Sequence, residues 1–394
     1  MLVAGPLLAA ALTRDPVLVA GLAFAQRLPW LLFSLISGAL VDRLDRRRLM
    51  FLMDLFRSAV VGALGLAVLL DIASLPLLYV VFFLLGTAET LFDTASLSVL
   101  PSVVPDGSLE RANAQLFGVQ IVTNQFAGPP LGGFLFAASA TLPFLLDAGS
   151  FAAAAACVLV MRGNFRVERL EGTAPTTLRS EIAEGLRWLF RHRFLRTLAL
   201  AIGVMNLTLT AAFSIMVLYA QERLGLGPVG YGLLLSSLAV GGIAGSVVAE
   251  RIVGWLGQGT PLRVGLLIEA TTHLVIALAT DVFVVGAILA LFGFHGIVWG
   301  VVSTSLRQQL IPSRLIGRVN SVYLLFSSGS VSLGALLGGM IARGFGLTAP
   351  FWFASSGIVL LTLLVWPAFS DPAVAQAKRD AHAPPGSLAS ASTE

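Results

Sequence analysis

Ionisable side chains stand inside long apolar stretches of this 394-residue sequence, and they are the residues most able to do chemistry. Glu89 and Asp93 are four residues apart in the apolar run 74–100, a spacing that places both carboxylates on one face of a helix. Paired carboxylates held away from water can take up and release a proton, which is the chemistry of a proton carrier. A structural pair that only hydrogen-bonds neighbouring helices fits the same spacing. The residues leave both interpretations open.

Three further charged residues lie inside apolar runs. Asp54 and Arg57 are three residues apart near one end of the run 49–70, where they are predicted to pair along one helix face. Long side chains this close to a helix end usually extend toward the membrane surface, which gives the pair a purely structural alternative. Arg27 lies deeper in its run and could either balance Glu89 or attract a negatively charged ligand.

Several polar side chains in other runs are candidates to line a cavity between helices, and a lone histidine there is also compatible with simple packing. They are Gln125, Asn206, His295 and Trp299. Glu269 and His273 are four residues apart and are predicted to hydrogen-bond each other. The sequence contains no catalytic triad, phosphate-binding loop or cysteine-based metal cluster, so we expect no catalytic residue, metal site or bound cofactor and no enzyme activity.

The composition places these residues in a membrane protein. Hydrophobic residues make up 57% of the chain and charged residues only 12%, with a mean hydropathy of +0.89, whereas soluble domains carry about 25% charged residues. The apolar runs are continuous and reach the roughly 20 residues that a helix needs to cross a bilayer. The chain is therefore predicted to be an all-α polytopic membrane protein.

Twelve membrane-spanning helices are predicted. The first, Met1 to Leu12, is apolar but too short to span, so we expect it to lack roughly half of its length. The other spans are predicted at 17–41, 49–70, 74–100, 113–137, 141–161, 197–220, 229–253, 262–280, 282–306, 319–342 and 348–369.

An internal repeat divides the chain into two halves. A single offset of 207 positions places Gly38 on Gly245 (245 − 38) and Gly86 on Gly293, among other matching glycines and prolines. These residues set helix bends and close helix contacts. The offset therefore predicts two six-helix halves, 1–162 and 197–370, related by a parallel repeat.

Two polar segments lie outside the spans. The linker 163–196 contains a stretch from Leu178 to Arg196 that reads as an amphipathic helix lying against anionic lipid. The tail 371–394 is rich in alanine, serine, proline and charge and is predicted to be disordered. Arginines concentrate on the side of the linker, which predicts that both termini are cytoplasmic and that the arginines serve topology rather than nucleic-acid binding.

Two motifs lie at the ends and bends of the spans. A tight turn between the second and third spans follows Gly38 and carries Asp42, Arg43, Arg46 and Arg47, and a further arginine, Arg111, precedes the fifth span. The fifth span contains Gly128-Pro129-Pro130-Leu-Gly132-Gly133, where proline interrupts the helix ladder and glycine allows close packing.

These motifs give the chain a resemblance to the major facilitator superfamily, and within it to bacterial enterobactin and macrolide exporters. The resemblance rests on Gln26-Arg27-Leu-Pro29-Trp30, the turn from Asp42, the segment from Gly86 to Ala95, Arg111-Ala-Asn113 and the glycine–proline motif. It implies alternating access, a gating role for the turn and for Arg111, and an exporter-type bend at the glycine–proline motif, whose alternative is packing alone. In many drug antiporters an arginine of the fourth helix partners the aspartate of the turn, but residues 75–109 of this chain contain no arginine.

The function expected from the resemblance is proton-coupled export of siderophores, drugs or other small amphipathic molecules across a bacterial cytoplasmic membrane by a monomeric antiporter. A proton is the expected coupling ion, and the expected partners are a small-molecule substrate and membrane lipids. A proton-independent facilitator or importer of a metabolite or lipid is the alternative within transport, and a membrane scaffold or sensor is the alternative outside it.

Overall fold

The apolar runs of the sequence form helices, and the part of the chain that the structure describes contains no strand. The structure is a computed structural model that describes residues 1–41, 44–104, 109–161, 178–312 and 315–382. The helices are α1 (Ala4–Leu12), α2 (Pro16–Val41), α3 (Arg46–Leu69), α4 (Leu75–Val103), α5 (Leu109–Gln120), a π-helical segment (Ile121–Ala127), α6 (Gly128–Ala138), α7 (Leu142–Val160), α8 (Leu178–Arg191), α9 (Arg193–Phe213), α10 (Met216–Glu222), α11 (Pro228–Leu256), α12 (Gly259–Leu278), α13 (Val282–Leu310), α14 (Ile316–Phe345), α15 (Ala349–Val365) and α16 (Asp371–His382).

Nine stretches of the described residues are helical, long and apolar enough to cross a membrane. The three other predicted spans are α1, the unit α5–π–α6 and the shorter apolar helix α15. With nine residues, α1 is about 14 Å long, less than half of the roughly 30 Å hydrocarbon core. The seventh span begins at Arg193 rather than at residue 197 and consists of α9 and α10.

Corresponding helices of the two halves pack in the same way. In the first half α2 packs on α4 and α3 on α7, and in the second half α11 packs on α13 and α12 on α15. Helices α4 and α13 both contain 29 residues, and their first residues are 207 positions apart (282 − 75). Between the halves, α2 packs on α14 and α11 on α6. The described helices therefore form the two six-helix halves, related by a parallel repeat, that the offset predicts.

The repeated glycines lie where two helices come closest. A Cβ atom on Gly86 of α4 would stand 2.2 Å from the backbone oxygen of Gln26 in α2. At the equivalent Gly293 of α13, it would stand 1.9 Å from the backbone oxygen of Leu238 in α11. Any side chain at either position would push the paired helices apart, which explains why both halves have glycine there.

The predicted disorder of the tail is wrong for residues 371–382, which form α16. Asp371 stands in its first turn, and its carboxylate accepts hydrogen bonds from the Gly259 backbone N–H at 2.7 Å and from the Thr260 hydroxyl at 2.8 Å. Val374 is buried against the second half. The prediction failed because composition does not reveal these long-range contacts. The Asp371 carboxylate binds the start of α12, and the Val374 side chain packs on the second half. Residues 383–394 lie outside the described part.

The linker helix is shorter than predicted, because α8 ends at Arg191 and His192 already caps α9. Gly185 allows close contact with the backbone of Arg318 in α14, and Glu184 forms an ion pair with Arg318. Leu189 is buried, whereas Leu186 and Phe190 on neighbouring positions are exposed. Helix α8 is therefore held on the end of the second half and keeps apolar side chains outside, as the predicted lipid contact requires.

Candidate functional site

A cavity of about 800 Å³ lies between the two halves. Its wall contains residues of α2, the π-helical segment and α6 from the first half and residues of α9, α11, α13 and α14 from the second. The wall is mostly apolar and aromatic, and its polar residues are Gln26, Arg27, Trp30, Asn124, Gln125, Asn206, Thr210, Ser214, Ser327 and Ser328. An apolar wall with a few converging polar groups is typical of a binding site for a small amphipathic molecule.

Arg27 is the only charged side chain among the described residues of the cavity wall, and it is exposed there. It lies near the middle of α2, at a depth where a charge must face a polar cavity or a counter-ion. Asp93 of α4 lies within electrostatic range of Arg27, of Arg57 and of Glu89. Arg27 therefore faces the cavity on one side and interacts with Asp93 of the predicted carboxylate pair on the other.

The carboxylate pair itself stands behind the cavity wall. Glu89 and Asp93 are both half-buried on α4, and neither is among the residues that line the cavity. This position links them to a bound molecule only through Arg27 or through a movement of the helices.

Asp54 and Arg57 form a buried ion pair next to Asp93. Asp54 is 1% exposed and Arg57 8%, so the alternative in which they extend to the membrane surface is wrong. The Arg57 guanidinium lies over the rings of Phe92 at 4.2 Å and Phe151 at 4.6 Å. Aromatic faces and a carboxylate replace water around the charge, so the long side chain need not reach the surface.

The glycine–proline motif shapes the cavity through the π-helical segment that precedes it. The Gly128 N–H bonds to the Thr123 carbonyl five residues back, and Pro130 has no N–H for the carbonyl of Phe126. The Ser236 hydroxyl of α11 lies 3.2 Å from that carbonyl and shares its one proton between it and the Gly232 carbonyl of its own helix at 3.1 Å. The segment carries Asn124 and Gln125, which both line the cavity, so the predicted bend and one predicted cavity residue belong to one feature.

The two halves also meet tightly at this motif. A Cβ atom on Gly133 would stand 2.3 Å from the Pro228 carbonyl oxygen at the start of α11, and one on Gly232 would stand 2.3 Å from the Pro129 carbonyl oxygen. Gly132 faces Val3, the residue before α1, more loosely, with its Cβ position 3.4 Å away. Small residues therefore seal this end of the interface between the halves.

The other predicted cavity residues divide into two groups. Asn206 lines the cavity, where its amide donates to the Ser327 hydroxyl at 2.8 Å. His295 and Trp299 do not line it, because their face of α13 turns into the core of the second half. The Trp299 indole donates to the Leu262 carbonyl of α12 at 3.3 Å. Their residue types made them cavity candidates, but the sequence could not show which way this face of α13 points.

The predicted hydrogen bond between Glu269 and His273 is absent, and neither ring nitrogen of His273 has a partner among the described residues. Glu269 instead faces His295 of α13, with 3.9 Å between Oε2 and Nε2. A contact between helices has replaced the local contact that the spacing suggested.

The gating turn is only partly described. Asp42, Arg43 and the side chain of Arg111 lie outside the described part, and Gly38 is an ordinary helical position of α2. Asp45 caps α3 by accepting from the Arg48 N–H at 3.0 Å, and Arg46 occupies the first turn after it.

Arg47 of the same turn donates to the Val158 carbonyl at 3.1 Å and also to that of Leu159. It thereby ties the turn to the end of α7 within its own half. The gating role of the turn stays a prediction.

At the opposite end of the bundle, charged residues connect the two halves. Arg14 donates to the Gln221 side chain at 2.6 Å and lies 3.9 Å from the Glu222 carboxylate, and Arg343 lies 3.5 Å from the Asp15 carboxylate. The residue types alone did not identify this contact. The repeat could have done so, because Arg14 and Gln221 are equivalent under the offset of 207.

A model of the family described as transmembrane secretion effector matches residues 2–390. The chain belongs to this family of major facilitator transporters. Family members are membrane transporters and not enzymes, and the predicted resemblance to the superfamily is confirmed.

The relatives of the chain include a multidrug efflux pump and an uncharacterized transporter. The chain is 25% identical over 355 residues to the multidrug efflux pump Tap of Mycolicibacterium fortuitum, covering 86% of this chain and 84% of Tap. It is 26% identical over 365 residues to the uncharacterized MFS-type transporter YfiS of Bacillus subtilis, covering 90% and 85%.

Solved structures of transporters share the fold of this chain. A bacterial homologue of the iron transporter ferroportin in an inward-facing state matches with a TM-score of 0.69 and 18% identity over 94% of this chain and 96% of that one. The nucleoside transporter NupG matches with a TM-score of 0.70 and 8% identity over 94% of each chain.

Proposed function

We propose that this protein is a proton-coupled exporter of small amphipathic molecules, such as drugs or siderophores, that works by alternating access. The observation that carries the proposal is the cavity between the halves, with Arg27 exposed in its wall and within electrostatic range of Asp93. The relatives named as multidrug efflux pumps support the outward direction.

The chemistry of the cavity supports this substrate class. Asn124, Gln125 and Asn206 offer amide donors and acceptors, and Arg27 adds a cationic donor. Most of the remaining wall is apolar and includes Phe82, so a molecule with an apolar body and several oxygen or nitrogen atoms fits best.

Proton coupling is assigned to Glu89 and Asp93, with Arg27 and Arg57 as their counter-ions. When the carboxylates are ionised, attraction to the two arginines holds α2, α3 and α4 together. Protonation removes that attraction and favours the alternative arrangement of the halves. The substrate binds the arrangement with ionised carboxylates, and the proton binds the alternative arrangement. The protein therefore exchanges one for the other, which is the thermodynamic basis of an antiporter.

The experiment that tests the substrate site measures efflux of macrolides, siderophores and dyes from cells or vesicles containing the full chain. Asn206→Ala and Gln125→Ala are expected to raise the KM for a transported compound several-fold while leaving the maximal rate close to that of the wild type. Ser150→Ala, at an exposed position of α7 outside the cavity wall, is the matched control. Unchanged KM values in both cavity variants would contradict the assignment of the cavity.

A further inference from the structure

Three titratable side chains are buried together in the second half, outside the carboxylate pair and the cavity wall. Glu269 and His273 of α12 are 2% and 0% exposed, and His295 of α13 is 4% exposed. Burying an ionisable group inside a membrane-spanning bundle is costly, so such a group is a functional candidate by default. We call these three residues the Glu–His cluster.

The polar atoms of the Glu–His cluster are unusually poor in partners. Glu269 Oε1, both ring nitrogens of His273 and both ring nitrogens of His295 accept or donate no hydrogen bond within the described structure. The nearest approach is 3.9 Å between Glu269 Oε2 and His295 Nε2, too long for a hydrogen bond but close enough for a strong electrostatic interaction. Leaving buried polar groups unpaired is costly, and packing alone does not explain that cost.

No other charged side chain of the described part interacts with the Glu–His cluster. The charged residues on α11, α12 and α13 are, apart from Glu269 itself, Glu250, Arg251, Arg263 and Arg307, and all four stand near the linker ends of those helices. Helix α16, whose charged residues are Asp371, Lys378, Arg379 and Asp380, packs on α12 and α13 and begins at the same end, whereas α15 carries no charged residue. The closest polar group on α15 is the Ser355 hydroxyl, which donates to the Ala270 carbonyl at 3.0 Å. The cluster must therefore balance its own charge.

One aromatic residue stands between the Glu–His cluster and the cavity. Phe292 lines the cavity, and its ring centre is 5.1 Å from that of His295 and 6.3 Å from that of His273. Phe213, which also lines the cavity, stacks on Phe292 at 6.1 Å. A movement of this aromatic pair would open the shortest path for water from the cavity to the cluster.

We propose that Glu269, His273 and His295 form a second proton-binding site, which exchanges protons with the cavity past Phe292. In the dry state one proton is shared by Glu269 and His295, so that the pair is neutral as a whole whichever of the two holds it. When water enters from the cavity, the proton leaves to that water and Glu269 stays ionised and hydrated. The inference rests on the proposed proton coupling and adds a proton site in the half that lacks Glu89 and Asp93.

The geometry favours a proton over a metal ion at this place. No group of three or more histidine, cysteine, aspartate or glutamate side chains in the described part is arranged to hold a metal ion. A proton needs only one carboxylate and one imidazole at short range, which the pair of Glu269 and His295 provides.

Infrared difference spectroscopy of the full chain in lipid nanodiscs tests the site, with a pH jump as the only stimulus. We expect the carbonyl band of a buried carboxylic acid to change with pH in the wild type, to be lost in Glu269→Gln and to shift in His295→Gln. Ser355→Ala, which removes a neighbouring buried polar group that cannot titrate, should leave the band unchanged. Glu89 and Asp93 also contribute bands, so a pH-dependent carbonyl spectrum in Glu269→Gln that equals that of the wild type would overturn the proposal.

The proposed path is tested by transfer of the same samples into D₂O. Exchange of the Glu269 proton should be several-fold faster in Phe292→Ala than in the wild type, and unchanged in Phe283→Ala, an exposed phenylalanine of the same helix. Equal rates in the two variants would contradict the path. Neither measurement needs a transported compound. The second proton site can therefore fail its tests while proton-coupled flux through Glu89 and Asp93 is intact, and it can pass them while that flux is absent.

Discussion

Arg14 donates a 2.6 Å hydrogen bond to Gln221, and the two residues occupy equivalent positions of the internal repeat. A parallel repeat relates the halves by an axis along the membrane normal, so equivalent residues meet only when they lie close to that axis. The contact therefore marks the centre of the interface at the end of the bundle opposite the linker. Together with the close contacts at Gly133 and Gly232, it closes this end of the bundle. Alternating access requires this end to open.

The first prediction concerns this closed end. Arg14→Ala removes contacts with Gln221 and Glu222, and because the side chains are exposed we expect a loss of about 0.2–1 kcal/mol and a few-fold larger population of the open end. The measurement is the rate at which an impermeant maleimide labels Ser214→Cys in the cavity wall, in a chain with Cys157→Ser.

Arg223→Ala is the matched control for this prediction. Arg223 donates to the Leu278 and Ala279 carbonyls of its own half, so it does not connect the halves. The account is contradicted if the two arginine variants change the labelling rate equally.

The second prediction concerns the carbonyl that Pro130 leaves without a helical donor. Ser236→Ala removes the hydroxyl that satisfies the Phe126 carbonyl across the interface and should destabilise the protein by about 1–3 kcal/mol. Thermal unfolding in detergent is the measurement. Ser237→Ala is the control, since that hydroxyl bonds only to the Leu234 carbonyl of its own helix, and equal losses in both variants would refute the interpretation.

The third prediction concerns the buried pair of Asp54 and Arg57. Removing one partner leaves an uncompensated buried charge, so Asp54→Asn alone should cost about 3–5 kcal/mol of stability. The double variant Asp54→Asn with Arg57→Gln should recover part of that loss, because the Arg57 charge is removed together with that of its partner, and Asp93 keeps Arg27 as a counter-ion. A double variant as unstable as the sum of the two single variants would show that the residues are not coupled.

The fourth prediction concerns pH and the junction of α8 with α9. His192, just before the seventh span, has its pKa lowered by burial, an effect that nearby Asp380 opposes. Because the folded chain holds the neutral form, this packing should be most stable above the unfolded pKa of about 6.5 and should weaken as pH falls from there toward the lower folded value.

Fluorescence of Trp188 reports the change at this junction, since its ring is 4.2 Å from that of His192. His192→Gln should remove the dependence on pH in this range. A fluorescence change that survives in His192→Gln would assign it to another group.

The repeat explains why the fold could be predicted from the sequence. Gly86 and Gly293 recur because each permits a close helix contact in its own half, so the pattern of glycines records which helices pack together. The apolar runs and their length then gave the ends of every predicted span to within four residues. The helix of the tail was missed because its stability depends on the distant contact of Asp371 with Gly259.

The site was predictable only where local spacing determines it. Asp54 and Arg57 pair as their spacing predicts, because both lie on one helix. His295 and Trp299 were placed in the cavity wrongly, since the orientation of α13 depends on its packing against α12. The contact of Glu269 with His295 joins two helices, and no spacing along the chain reveals such a pair.

The central claim is that Glu89 and Asp93 exchange a proton for the transported molecule. The most direct measurement records proton movement in proteoliposomes on addition of each macrolide, siderophore and dye, for the wild type and for Glu89→Gln with Asp93→Asn. The account predicts proton release with one class of compound, and loss of that release in the double variant. Proton-coupled transport that continues undiminished in the double variant would contradict it.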